Sequence, residues 1–298
     1  MRSRGRTTFR RLQPPPRPLR PTPDEGGAAP YHRGVIVLAV CSLKGGVGKT
    51  SVTLGLVAAA RAAGLRTLVV DLDPQGDSTA GLDVDGEARG TSALVIDDPR
   101  RRHLRAATLR SHWSDGDRAP VDVVVGGDGL AAMDRTDLSS RRLTSLRTVL
   151  DKVSGDHDLV LVDCPPSLGG LTRIGLAAAD RAIIVTEPGV FAIAAADRAL
   201  RAVHDVRTQL NPRLQPLGIV INRVRPNIGE HRYRVEELTS LFGPLVLTQQ
   251  IPERTAVQRA QGAYVPIHAL RNPGAREVAA LFDGILAHAL RAARRQRP

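Results

Sequence analysis

Within the ten residues Ser42–Ser51, SLKGGVGKTS, the chain places two lysines, three glycines and three hydroxyl side chains. Glycines in succession let backbone N–H groups curl around an anion, a lysine neutralises phosphate charge, and a hydroxyl just after it can ligate a divalent cation. The general phosphate loop is G-x-x-x-x-G-K-[ST]; here Gly48-Lys49-Thr50 supply its end, while Leu43 stands where its first glycine would be. Lys49 is therefore expected on the β- and γ-phosphates and Thr50 on Mg²⁺. Gly45, Gly46, Val47, Gly48, Lys49, Thr50 and Ser51 should cradle a nucleotide. Lys44 is a second cation that the general motif does not require. Only three of the 42 basic residues are lysine, and two of them lie in this loop. A compact ammonium enters a crowded phosphate cage where a planar guanidinium fork would not.

Other candidates are scattered along the chain. Asp71 and Asp73 alternate along one apolar run and so share a face. Asp163 ends the run Leu159–Val162 and suits either Mg²⁺ or a cap on the following segment. Asn222, at the end of "LGIVIN", fits a base reader or a structural turn. Cys41 and Cys164 are too few and too distant for a disulfide framework, and without a CxxC pair they favour small-residue packing over redox or metal work.

The elements that must position these residues are short aliphatic runs alternating with helical patterns. Residues 35–40, 67–73, 121–125, 158–163, 181–187 and 217–222 read as strands apolar on both faces, the mark of a buried parallel sheet. Helices are expected at 50–63, 140–152, 191–210 and 232–242. Val278, Leu281, Phe282, Ile285, Leu286 and Ala289 give a last helix one core-facing stripe. The fold class is α/β, a doubly wound, mostly parallel sheet with helices on both faces, whose ligands sit at the carboxyl ends of the strands.

At 298 residues and 42% apolar content the chain can build a full core, and with 3% aromatics that core must be aliphatic. No apolar run approaches the roughly 20 residues of a membrane helix, so a soluble, cytoplasmic protein without integral membrane association is expected. The formal charge of +12 is uneven: residues 1–33 carry +6, residues 291–298 carry +4, and the body only +2. Cationic ends suit loose attraction to a polyanion such as DNA, or simple solubilisation. Seven prolines before residue 31 make residues 1–33 an Arg/Pro-rich disordered tail, followed by a folded domain at 34–290 and a basic tail at 291–298. Arg10-Arg11 is not followed by an apolar export segment, and the prolines oppose the amphipathic helix of an organelle transit peptide.

The form K-G-G-V-G-K-T resembles the deviant Walker A motif of the ParA/MinD family of ATPases. "DLDPQGDST" (71–79) resembles that family's switch I, and "LVLVDCPPSLG" (159–169) its Walker B strand and switch II. "GIVINRV" (218–224) resembles its adenine strand, and "IPERTAVQRAQGAYVPI" (251–267) the loop that closes over the base. The resemblance spans about residues 35–290. It implies ATP and Mg²⁺ as cofactors and weak hydrolysis without a stimulating partner. Lys44 would cross a dimer interface to the partner subunit's phosphates, and Asp73 would position the attacking water. Asp71 and Asp163, directly or through water, would hold Mg²⁺ with Thr50, while Asn222, Arg223 and Pro252 would lie at the adenine. An ATP-bound homodimer, nonspecific DNA and a ParB-like stimulating protein are the implied partners, with Arg232, Arg234 and Arg254 in the regions where relatives contact DNA. A MinD-like membrane-site ATPase and an ATP switch for another cargo are the competing readings. The switch segments and the arginine-alanine end "LRAARRQRP" favour the ParA type.

Overall fold

The computed structural model describes residues 35–294 other than Asp117 and Ser154. The disordered tail expected at 1–33 and the end of the chain at 295–298 lie outside the described residues.

Among the described residues seven strands make one sheet: β1 (Ile36–Cys41), β2 (Thr67–Asp71), β3 (Thr108–Arg110), β4 (Val121–Val124), β5 (Leu159–Asp163), β6 (Arg181–Thr186) and β7 (Gln215–Ile221). Their order is β3-β4-β2-β5-β1-β6-β7. All pairings are parallel except β3 with β4. Each of the six parallel strands coincides with one of the aliphatic runs, shifted by a residue or two at the ends. The short antiparallel β3, TLR, is half-exposed at the sheet edge and has no apolar run to announce it.

Among the described residues eleven α-helices connect and flank the strands. They are α1 (Lys49–Ala62), α2 (Asp77–Gly81), α3 (Ser92–Asp97), α4 (Arg101–Ala106), α5 (Ser140–Leu143), α6 (Ser145–Leu150), α7 (Gly170–Ala178), α8 (Ala192–Gln209), α9 (Gly229–Phe242), α10 (Thr255–Gly262) and α11 (Pro273–Arg294). The helix expected over 140–152 is two short helices and a final 3₁₀ turn, with Thr144 at the junction between the first two. Thr144 Oγ1 bonds back to the Ser140 carbonyl at 3.0 Å, the local competition that makes Thr a poor helix-interior residue. The sheet splits the core into two layers, one under α3, α6, α7 and α8, the other under α1, α10 and α11. Both are built from Val, Leu, Ile and Ala. On α11, Val278, Phe282, Ile285, Leu286 and Ala289 are buried as the stripe requires. That helix continues to Arg294 with Ala293 buried, so the body runs past the boundary expected at 290.

Candidate functional site

The site forms where β1 ends and the chain turns into α1, next to the carboxyl end of β5. In such a sheet this is the crevice in which ligands bind. Gly46 and Gly48 take left-handed backbone (φ 80 and 84), which only glycine adopts without strain. A Cβ on Gly48 would sit 2.3 Å from Asn222 Nδ2, so no larger residue fits there. No side chain caps the start of α1, leaving its first N–H groups for an anion. The loop borders a cleft of ≈ 450 Å³ lined by Lys44–Leu54 loop and helix residues, Asp73, Gln75, Asp77, Pro166, Arg223, Gln261 and Tyr264.

Lys49 is 6% exposed, with Nζ 2.8 Å from Asp163 Oδ1 and 3.4 Å from Asp73 Oδ2. Burial alone would lower its pKa, but the charges of Asp163 and Asp73 outweigh that and hold it above the ordinary lysine value. Asp163 is fully buried and also accepts from Thr50 Oγ1 at 3.1 Å, Thr53 Oγ1 at 3.1 Å and Ser78 Oγ at 2.5 Å. Asp163 is therefore the hub of the site. The functional alternative, rather than a simple cap, fits its position beside the Thr50 hydroxyl.

These groups suit the expected cofactors. Glycine amides, a helix start and two lysines match a polyphosphate. The Thr50 hydroxyl and the Asp163 carboxylate are hard oxygen donors of the kind Mg²⁺ takes. No group of three or more His, Cys, Asp or Glu forms a metal cage among the described residues.

Lys44 behaves differently from Lys49. It is 54% exposed at the cleft rim, with Nζ 2.5 Å from Glu187 Oε1 at the end of β6. Beside this pair lie Val190 and Phe191, the most exposed large apolar side chains among the described residues.

Several expected residues stand elsewhere. Asp71 does not line the cleft: it is fully buried, its Oδ1 accepts the Asp73 N–H at 3.1 Å, and its Oδ2 accepts the Thr79 N–H and hydroxyl at 2.8 Å. It braces the 73–79 turn, and of the two routes the resemblance implies for it, direct or through water, these partners favour the one through water. Burial and the neighbouring Asp163, its register partner in the sheet, push its pKa up to about 6 against the opposing hydrogen bonds from Thr79 and Asp73. Asn222 donates its amide to the Val47 carbonyl at 2.8 Å and ties β7 to the phosphate loop, the structural alternative for that residue. Pro252 is buried in the bridge between Val224 and the closing loop. Of the three residues expected at the base, only Arg223 borders the cleft.

Two of the three expected DNA contacts stand in ion pairs at the surface. Arg234 pairs with Glu230 and Glu237 at 2.7 and 2.8 Å, and Arg254 with Glu277 at 2.9 Å. The exposed Arg232 donates its guanidinium to the Pro226 carbonyl at 3.3 Å and is in no ion pair among the described residues.

Sequence reasoning missed Thr53, Ser78, Glu187, Gln261 and Tyr264. Thr53 lies three residues after Thr50 and four after Lys49, one helical turn along α1, while Ser78 lies inside the 71–79 segment and meets Asp163 only through the fold. For Thr53 that spacing was the available signal. Glu187 and the Gln261–Tyr264 turn reach the loop only through the fold. Cys41 and Cys164 are fully buried. Burial pushes Cys41 up to about 12 and Cys164 well above the usual thiol range, with the Lys49 charge opposing in both.

A family model described as an AAA domain matches residues 35–216. Among curated proteins the chain is similar to an uncharacterized protein of Mycobacterium tuberculosis, 34% identical over 84% of this chain and 77% of that one. It is also similar to the chromosome-partitioning ATPase Soj of Thermus thermophilus, 32% identical over 84% of this chain and 95% of that one. Among solved structures, cobyrinic acid a,c-diamide synthase from Mycobacterium smegmatis with a bound ATP analogue and magnesium superposes with a TM-score of 0.71. It is 28% identical and covers 88% of this chain and 97% of that one. With a deviant phosphate loop at the switch point of a parallel sheet, and these likenesses along most of its length, the chain belongs to the ParA/Soj-type family of P-loop ATPases.

Proposed function

We propose that this protein is an ATP-driven partitioning switch. It binds ATP with Mg²⁺, pairs into a nucleotide-sandwich dimer, holds DNA nonspecifically in that state, and is released when a ParB-like partner stimulates hydrolysis. The observation that carries the reading is the split between the two loop lysines, Lys49 buried on Asp163 and Lys44 exposed at the rim.

Bound Mg²⁺ neutralises β- and γ-phosphate charge and orients the γ-phosphoryl group. Thr50 and Asp163 would hold it. Lys49 moves between Asp163 and the phosphates of its own nucleotide. Asp73, on the cleft wall with Oδ1 held by the Gln75 N–H at 3.1 Å, positions the attacking water. Lys44 leaves Glu187 to meet the partner subunit's nucleotide, which couples turnover to assembly.

The DNA surface is argued from charge that is free to act. Arg259, Arg271 and Arg276 are exposed and in no ion pair among the described residues, and they flank the closing loop on α10 and the start of α11. With Arg232 they join Arg234 and Arg254, whose surface pairs can exchange for phosphate, as the contacts of this reading. A MinD-like membrane anchor is disfavoured because the apolar stripe of α11 is spent on the core. No helix among the described residues is long and apolar enough to cross a membrane. A cytoplasmic, nucleoid-associated location goes with this reading.

Fluorescence anisotropy with a random duplex and the Asp73→Ala variant tests the DNA step. Binding should need ATP and fall about 100-fold or more between 50 and 200 mM salt. Binding that ignores nucleotide or salt overturns it, and ATP-dependent recovery with floated liposomes would favour the membrane reading.

A further inference from the structure

The segment that leaves β5 runs from the hub Asp163 through Cys164, Pro165, Pro166 and Ser167 to the first turn of α7, and Pro166 stands on the wall of the nucleotide cleft. Two consecutive prolines have φ fixed by their rings, so the segment is stiff and its course is set by what holds its ends. Asp163 holds one end. The other is held by Asp134, a residue of no phosphate or switch motif.

Asp134 is half-buried, just after the 3₁₀ turn Asp128–Met133 that follows β4. Its Oδ2 accepts the Ser167 hydroxyl at 2.9 Å, and its Oδ1 accepts the Leu171 N–H at 3.2 Å. Ser167 Oγ in turn accepts the Gly169 N–H at 3.3 Å, and the Ser167 carbonyl accepts the Thr172 hydroxyl at 2.7 Å. The N-cap of α7 is Gly169, which has no side chain to offer, so the Asp134 carboxylate supplies the negative charge that a helix start favours. The approach is close enough to require glycine. A Cβ on Gly169 would overlap the Asp134 carboxylate, and one on Gly170 the Arg135 carbonyl oxygen.

The support is itself anchored on the opposite wall of the cleft. The Gly126 N–H, at the start of the same connection, donates to Thr79 Oγ1 at 3.0 Å, and the Thr79 hydroxyl donates to Asp71 at 2.8 Å. Leu130, midway, is fully buried. Residues 126–134 thus reach from the segment that carries Asp73 to the segment that follows Asp163.

We propose that Asp134 is a positioning residue for ATP hydrolysis. It fixes the 165–171 segment, so that the Pro166 wall and Asp163 keep their places when Lys49 turns to the phosphates. Asp134 does not line the cleft, and its loss should therefore act on turnover and leave nucleotide binding alone. Small misplacements of reacting groups are felt in rate. The inference rests on ATP hydrolysis in the cleft and not on the DNA step.

Steady-state ATPase assays and calorimetry with Mg-ADP on the full chain test it. Asp134→Ala should lower kcat about ten-fold, with KM for ATP and affinity for ADP within about two-fold of wild type. Asp134→Asn keeps one acceptor oxygen and should lose only about three-fold. Ser167→Ala should slow kcat by itself, and the Asp134→Ala/Ser167→Ala pair should be no slower than Asp134→Ala alone, because both changes break one contact. If Asp134→Ala does not fold, Asp134→Asn and Ser167→Ala carry the same comparison. Wild-type kcat in these variants overturns the proposal, as do equal losses of kcat and ADP affinity or additive losses in the pair. A deficit that vanishes as protein concentration rises belongs to subunit pairing and overturns it too. A wild type that binds ADP and hydrolyses no ATP would remove the ATPase reading and this inference with it.

Discussion

The two lysines of one loop, five residues apart, stand in opposite surroundings. Lys49 is enclosed by Asp163 and Asp73, and Lys44 lies at the rim against a single carboxylate. A buried charge is committed, because removing either partner strands the other in a low-dielectric interior. An exposed pair is worth little and is easily exchanged for a stronger anion. The loop therefore combines a fixed element, which makes the nucleotide floor, with an exchangeable one, which suits a contact made only upon assembly.

If that contrast holds, Lys49→Ala should have the largest effect. Steady-state ATPase rates should fall about 100-fold or more, as for loss of a key electrostatic donor. Denaturant unfolding should show a loss of about 3 kcal/mol from the stranded Asp163, the low end for a broken buried pair because Thr50, Thr53 and Ser78 still donate to it. Lys49→Arg should fail as well, since the guanidinium fork does not fit the enclosed position. The Lys44→Ala variant should bind ATP with wild-type affinity by calorimetry, keep its melting temperature, and lose most turnover. A large loss of ATP affinity in Lys44→Ala would erase the distinction between the two lysines.

Smaller effects sharpen it. Glu187→Gln frees Lys44 from its carboxylate and should tighten ATP-dependent dimerisation about three-fold, the scale of an exposed ion pair. In a Lys44→Ala background the same change should do nothing, which sedimentation velocity would read. The smallest signal concerns the thiols. With Cys41 at about 12, only about one molecule in ten thousand carries its thiolate at pH 8. A thiol reagent such as DTNB should label neither cysteine in the native protein and both after unfolding. Rapid native labelling would show that this layer of the core opens.

The parallel strands and the phosphate loop were legible in the sequence because each rests on a local pattern: continuous apolar runs for the buried sheet, glycines and lysines at fixed spacing for the anion. Leu43 in place of the first glycine did not disturb that reading, since the amides that curl belong to Gly45–Gly48. What the sequence hid was every contact made across long separations. Asp71 and Asp73 share a strand face, yet one is sealed behind Gly126 and Thr79 and the other meets Lys49. Asn222 stood at the right place for a base, but its amide reaches the backbone of a segment 175 residues away. Arg234 and Arg254 were legible as positive charges and not as paired ones, because helical spacing offers Glu230 and Glu237 to Arg234 while only the fold offers Glu277 to Arg254. The edge strand β3 was invisible for the same reason, since its partner, not its composition, makes it a strand.

Light scattering with Mg-ATP on the Asp73→Ala variant, alone and combined with Lys44→Ala, tests the division of labour between the lysines most directly. The account predicts a dimer for the single variant and a monomer that still binds ATP for the double. A double variant that dimerises as fully as the single, or a single variant that stays monomeric at saturating ATP with its fold intact, would contradict it.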